Sequence, residues 1–263
     1  MTANMKDCRI TDCFFDLYGT LVDIHTDESK AGIWDAVRSE ILSLNEGCLL
    51  SAEEMSDFFW REQDRMRQQH KDEPEQGIFP EMNMYGLFRT LLVRCGVRPT
   101  DDRVSRAARV FRLASTEHCR LYSGAMQFLI NLKESGRRIW LVTNAQRVFT
   151  MPEIERLGLD RIFDGIYISS DIGFRKPDSR MFLAPIKEHG LDEHSIVMIG
   201  NDGTADIAGA KACGLKTVYF RTNCSPQNDS AQADICFEGA DYESLGTVLF
   251  DSLSHWGRFS LTH

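Results

Sequence analysis

The chain has 263 residues, of which 43% are hydrophobic and 26% charged, and its formal net charge is −9. That length allows one large domain or a core carrying a smaller second one. The acidic balance argues against a nucleic-acid partner, which needs a basic footprint, and no apolar run approaches the roughly 18–20 residues of a membrane span.

In chain order the first element is "CFFDL" at 13–17, an apolar run that ends on an acid, Asp16, before a turn through Gly19 and Thr20. About a hundred residues then pass before the next core element near Leu121, far beyond ordinary loop lengths. Inside that span the pattern is helical: Ile33, Trp34, Val37 and Ile41, then Met55, Phe58, Phe59 and Met66, then Met84, Tyr85, Phe88, Leu91 and Leu92. No strand-type run interrupts it. Residues 25–119 therefore read as an inserted helical cap domain, and residues 1–24 with 120–263 as the core. The segment "KDEPEQGIFPE" (71–81), rich in charge, Pro and Gly, is the expected exposed loop of the insert.

Beyond the insert, Ala125, Phe128, Leu129 and Leu132 repeat at helical spacing up to a stop at Gly136. Strand-type runs follow at "RIWLVT" (138–143), "GIYIS" (165–169), "SIVMIG" (195–200), "KTVYF" (216–220) and "ADICF" (233–237). Helical stretches separate them, "PDSRMFLAPIKEHG" from Pro177 to Gly190 and "TADIAGAKACG" up to Gly214. Runs apolar on both faces indicate a parallel sheet covered on both sides. The alternation predicts a doubly wound α/β, Rossmann-like core. The eight cysteines form no CxxC pair, and Cys13, Cys95, Cys213 and Cys236 lie among apolar neighbours. The segment "MTANMKDCRITDC" lacks the apolar core of an export signal. Reduced thiols and a cytoplasmic setting are the expectation.

In a parallel α/β sheet, ligands bind beyond the carboxyl ends of the strands. The first strand delivers Asp16; the second, "IWLVTNAQ", delivers Thr143 and Asn144; after the third comes "SSDIGFRKPD", with Lys176; the fourth, "IVMIGNDGTADIAGA", delivers Asn201, Asp202 and Asp206. Each alone has an ordinary explanation, such as a helix cap for Thr143 and Asn144 or a solvated lysine for Lys176. Four such accidents in topological order are a poorer explanation than one site.

"FFDLYGTL", "LVTNAQ", "FRKPD" and "IGNDGTADIAGA" resemble, in order, the four motifs of the haloacid dehalogenase-like hydrolase superfamily, and the helical insert resembles its subgroup with a helical cap. The resemblance implies that Asp16 is a nucleophile forming a covalent acyl intermediate. Thr143 and the backbone around Asn144 would hold the oxygens of the transferring group, and Lys176 would neutralise developing charge. Asp202, Asp16 and the main-chain carbonyl of Tyr18 would hold Mg²⁺. Asp206 would act behind them on Lys176 or a metal-bound water, with Asn201 beside it. A small anionic molecule is the implied substrate.

Two positions depart from the family phosphatases. Tyr18 stands where they usually carry an acid–base Asp, and Asn201 where many carry an acid. The first reading is a Mg²⁺-dependent phosphatase acting on a small phosphorylated metabolite through an aspartyl-phosphate at Asp16. A tyrosine at position 18 also resembles the 2-haloacid dehalogenases, whose departing halide needs no proton and which work without metal. Against this, Asp202 is retained, and Phe182 stands where those enzymes usually carry tyrosine. A ligand-binding pseudo-enzyme is a third reading, suggested by the missing acid and opposed by the retention of Asp16, Thr143, Lys176 and Asp202. In the insert, Arg61, Arg65, Arg67 and His70 form a basic stretch that either faces solvent or meets an anionic substrate.

Overall fold

A computed structural model describes residues 10–45 and 47–251. From the amino end come β1 (Asp12–Phe15), β2 (Val22–Thr26), α1 (Ile33–Leu44), α2 (Ala52–Gln69), α3 (Met84–Arg94), α4 (Asp101–Ser115) and β3 (Thr116–Leu121). Then follow α5 (Ala125–Glu134), β4 (Arg138–Thr143), α6 (Arg147–Arg156), β5 (Gly165–Ile168), α7 (Ser169–Ile172) and α8 (Ser179–His189). The last elements are β6 (Ile196–Gly200), α9 (Gly209–Ala212), β7 (Lys216–Arg221), β8 (Ile235–Glu238) and α10 (Tyr242–Asp251). Among the described residues no helix is long and apolar enough to cross a membrane, and the described cysteines are free thiols.

Six strands form one parallel sheet in the order β5-β4-β1-β6-β7-β8. The chain moves outward from β1 through β4 to β5, then returns to the other side of β1 at β6. That reversal makes the carboxyl end of β1 the switch point where open α/β sheets bind ligands. The inner strands β1, β4, β6 and β7 are covered on both faces, which is why they read as continuous apolar runs, while the edge strands β5 and β8 are partly exposed. Cys13 and Phe15 point into a cluster with Phe128, Leu129 and Leu132 of α5 and Leu245 of α10. Phe14, on the other face, packs with Met181, Phe182 and Ile186 of α8.

The insert has its own apolar cluster, in which Ile33, Val37, Met55, Phe59, Phe88 and Phe111 meet. Phe59 is its centre, with ring centroids 5.0 Å from both Trp34 and Phe88 and 5.5 Å from Phe111. The start of α2 is fixed by a capping box, the Ser51 hydroxyl accepting from the Glu54 N–H and the Glu54 carboxylate from the Ser51 N–H.

Three readings of the sequence need correction. The span between Thr20 and Leu121 is not free of strands: β2 and β3 pair antiparallel and form a two-stranded ribbon at the root of the insert. "TEHCRL" is mostly polar and half exposed, so it lacks the apolar run of a core strand. The stretch "TADIAGAKACG" does not begin as an α-helix. Its first turn, Gly203–Ala208, is π-helical, with the Ile207 N–H donating to the Asp202 carbonyl at 3.1 Å. Lastly, the 71–81 segment is exposed over 71–77, as expected, but its end is anchored to the core. Pro80 bridges Phe174, the Arg175 N–H donates to the Phe79 carbonyl at 2.8 Å, and Arg175 pairs with Asp72 at 2.7 Å.

Candidate active site

Asp16 follows β1 directly, and its N–H donates to the Ile199 carbonyl at 3.0 Å, which keeps it in sheet register beside the end of β6. Its Oδ1 accepts from the Thr143 hydroxyl at 3.0 Å and from Lys176 Nζ at 2.8 Å. Among the described residues nothing donates to Oδ2. Lys176 also donates to Asp206 Oδ1 at 2.5 Å and to the Val142 carbonyl at 2.7 Å, so all three ammonium protons are used. The loops that carry Asn144 and Lys176 are clamped by a reciprocal pair: the Lys176 N–H donates to Asn144 Oδ1 at 2.7 Å, and Asn144 Nδ2 donates to the Lys176 carbonyl at 3.0 Å.

The turn after β6 is organised by its own acids. Asp206 Oδ2 accepts from the N–H groups of Asn201 and Asp202, both at 3.0 Å. This requires the Asp206 carboxylate to lie against Gly200, where any Cβ would sit 2.3 Å from it. Asp202 Oδ1 caps the following turn, accepting from the Thr204 and Ala205 N–H groups at 2.8 and 2.7 Å. Asn201 faces the turn after β1: its Oδ1 accepts from the Thr20 hydroxyl at 3.2 Å. Its side chain also abuts Gly19, which has φ +86°, a backbone conformation that glycine adopts without strain.

Burial would lower the Lys176 pKa, but Asp16 and Asp206 outweigh it and hold the ammonium charged above its ordinary range. Burial raises the Asp206 carboxyl, against the opposing pull of Lys176 and with repulsion from Asp16 added. Asp16, Lys176 and Asp206 together carry one excess negative charge when ionised, and Asp202 adds another at the rim.

All eight residues singled out from the sequence—Asp16, Tyr18, Thr143, Asn144, Lys176, Asn201, Asp202 and Asp206—line one cavity of about 170 Å³. Ala205, Cys224 and Pro226 complete it, and no described residue of the insert does. Cys224 and Pro226 were missed, although they follow the fifth strand-type run in "RTNCSP", where the same strand-end reasoning applies.

Tyr18 commits its phenol to residues of α6 and not to the Asp16 carboxylate. Its hydroxyl contacts Thr150 at 3.1 Å and donates to the Glu153 carboxylate in a very short hydrogen bond. Glu153 is held in turn by Arg112 Nε at 2.7 Å, and the Arg112 guanidinium lies 5.6 Å from the centre of the Tyr18 ring. Burial, then the Glu153 charge, push the phenol pKa well above its usual value. The partners Thr150, Glu153 and Arg112 carried no signal in the sequence, since they lie within helices far from any strand end. Of the insert's basic stretch, Arg61 bonds the Asp57 carbonyl and Arg65 pairs with Glu62, whereas Arg67 and His70 line a second cavity.

The carboxylate oxygens Asp16 Oδ2 and Asp202 Oδ2 and the Tyr18 carbonyl accept no hydrogen bond among the described residues. Among those residues no three His, Cys, Asp or Glu side chains gather into a cation cage. Two carboxylates with room for water and substrate oxygens suit Mg²⁺, a hard cation that seldom uses all-protein cages. The donor set therefore fits Mg²⁺ and would not satisfy a closed, thiolate-rich site.

A buried aspartate stands at the switch point of the parallel sheet, bonded to a threonine and a lysine, where open α/β sheets bind ligands. The model of the haloacid dehalogenase-like hydrolase family matches residues 13–214, and the chain belongs to that family. A glyceraldehyde 3-phosphate phosphatase of Pyrococcus abyssi is 31% identical over 134 residues, 51% of this chain and 56% of that protein. A ribulose-1,5-bisphosphate 5-phosphatase of Halopiger xanaduensis is 36% identical over 120 residues, 46% of this chain and 49% of that protein. The chain thus spans about half the length of these relatives. Two solved structures share the fold. A 2-haloacid dehalogenase from Pseudomonas syringae has TM-score 0.59 at 20% identity, covering 91% of this chain and 98% of that one. A phosphatase from Thermococcus onnurineus has TM-score 0.57 at 18% identity, covering 92% and 98%.

Proposed function

We propose that this hydrolase is a Mg²⁺-dependent phosphatase of small phosphorylated metabolites, working through an aspartyl-phosphate at Asp16. The observation that carries this reading is the asymmetry of Asp16. One carboxylate oxygen is fixed by Thr143 and Lys176 while the other, unengaged, shares a cavity with an unengaged oxygen of Asp202. A carboxylate nucleophile must be held in one orientation with its face open to the substrate, and Thr143 and Lys176 hold Asp16 in that way. Lys176 and the Thr143 hydroxyl supply donors where charge develops on the transferring oxygens. Mg²⁺ held by Asp16, Asp202 and the Tyr18 carbonyl would neutralise phosphate charge. Residues 25–119 act in this reading as a cap that excludes water and selects substrate. The phosphatases among the relatives, which include a phosphoglycolate phosphatase of Agrobacterium fabrum, support the choice of phosphate esters.

The dehalogenase reading retains one observation in its favour: Tyr18, its proton committed to Glu153, offers no general acid. Against it stand the free Asp202 oxygen and Phe182, which is buried under the sheet with Phe14. The deciding experiment is phosphate release from an aryl phosphate with Mg²⁺ and with chelator, in the natural protein and in Asp16→Asn. Activity is expected only with metal and should fall about 10³-fold or more in the variant. Chloride release from 2-chloro acids in chelator, without phosphatase activity, would reverse the assignment.

A further inference from the structure

A second and larger cavity, about 410 Å³, lies where the end of α2 and the 71–82 segment meet the loop that delivers Lys176. Arg67, His70 and Lys71 stand on the insert side, and Arg175, the immediate neighbour of Lys176, on the core side. Two acids also line it, and both are engaged. Asp72 accepts twice from Arg175 Nη2, at 2.9 and 2.7 Å. Glu81 accepts from the Ser169 hydroxyl at 2.5 Å, from Gln146 Nε2 at 3.0 Å and from the Met82 N–H at 2.8 Å. Arg67 has only a loose contact, 3.6 Å, with Asp64, and Lys71 has no ion pair among the described residues. The cations that are free to receive a ligand therefore outnumber the acids that are free to repel one.

Position matters as much as charge. Gln146, two residues beyond Asn144, accepts from the Met84 N–H and donates to the Met82 carbonyl, so the loop that helps form the catalytic cavity is tied to the segment that lines this one. The two cavities are thus neighbours: Arg175 of one precedes Lys176 of the other in the chain, and Glu81 and Met82 of one are bonded to Gln146, two residues beyond Asn144 of the other.

We infer that the Arg67–Lys71–Arg175 cavity binds a second oxyanion of the substrate, at the opposite end of the molecule from the phosphate ester attacked by Asp16. The substrate class is then a doubly anionic metabolite, either a bisphosphate or a phosphorylated carboxylic acid, and this rests on the phosphatase reading above. Phosphate and carboxylate are recognised by the same chemistry, since both accept charge-assisted hydrogen bonds from guanidinium and ammonium groups. Selectivity for them is a difference of affinities set at this cavity.

The test compares kcat/KM, with Mg²⁺, for an alkyl bisphosphate, a phosphorylated hydroxy acid, and a phosphorylated alcohol of the same length ending in a neutral hydroxyl. The natural protein should prefer at least one doubly anionic substrate over the neutral-ended one by about tenfold or more, the worth of one charge-assisted hydrogen bond. Which of the two it prefers tells phosphate from carboxylate. In Arg67→Gln and in Lys71→Gln that preference should fall toward unity, chiefly through KM. No preference in the natural protein, an undiminished preference in both variants, or an equal loss on all three substrates would overturn the inference. If no substrate, an aryl phosphate included, releases phosphate, the phosphatase reading fails separately. The cavity is then judged by titrating inorganic phosphate into the natural protein and Arg67→Gln, and equal affinity would overturn it.

Discussion

Tyr18 is the residue that most constrains the chemistry. A proton donor to a departing alkoxide must lie near the reacting oxygen and have a pKa near the working pH. The Tyr18 phenol meets neither condition, for its proton is given to Glu153 and its pKa is pushed upward. The expected consequence is a steep dependence on the leaving group, aryl phosphates being hydrolysed far faster than alkyl phosphates. Tyr18→Phe keeps the ring and removes only the hydroxyl, so kcat for both substrate types should stay within about threefold of the natural protein. Were the phenol the acid, the alkyl phosphate rate in that variant would drop by about 10²–10⁴-fold instead. A series of leaving groups measured on both proteins decides between these outcomes.

At the scale of elements, α4 and α6 are joined across the boundary between insert and core by the Arg112–Glu153 pair, whose Nε–Oε1 distance is 2.7 Å. Both side chains are nearly buried, so removal of one leaves an uncompensated charge, whereas removal of both does not. Arg112→Met should lower stability by about 2–4 kcal/mol, and Arg112→Met with Glu153→Met should recover most of that loss. Equal midpoints for the single variant and the natural protein in denaturant would show that the pair holds nothing. This contact also marks the limit of what could be read beforehand. The four inner strands were legible because burial on both faces leaves uninterrupted apolar runs, the edge strands β5 and β8 because they are short apolar runs despite partial exposure, and the eight cavity residues because each ends or follows an inner or edge strand. Helix α6 was not, since its buried face holds Thr150 and Glu153 beside Phe149 and Ile154, and Pro152 lies inside it. Nor was the β2–β3 ribbon, whose short apolar face, Val22 and Ile24 opposite Leu121 and Cys119, alternates with Asp23, His25, His118 and Arg120 and so leaves no apolar run.

In the whole molecule, two bodies of apolar packing are linked by that ribbon, and Asp23 is the charge at the link. It accepts from His118 and Arg120 on β3, and from Asn223 at 2.9 Å, in the loop whose Cys224 lines the catalytic cavity. The hydrogen bond from Asn223 contributes most, and with Arg120 and His118 it outweighs burial to push the Asp23 carboxyl down to about 2. An unfolded aspartate titrates near 3.9. A depressed folded pKa therefore stabilises the protein fully above about pH 4, and the contribution is lost as pH falls toward 2. Because Arg120 and His118 are open to solvent, screening reduces the effect to roughly 1–2 kcal/mol. Asp23→Asn should lower stability by about that amount at neutral pH. Below pH 4 the variant should lose less stability than the natural protein, so the two curves converge near pH 2. Denaturant midpoints recorded from pH 7 to pH 2 check this. Parallel curves over the whole range would mean that the ribbon takes nothing from the Asp23 charge, and that packing alone joins insert to core.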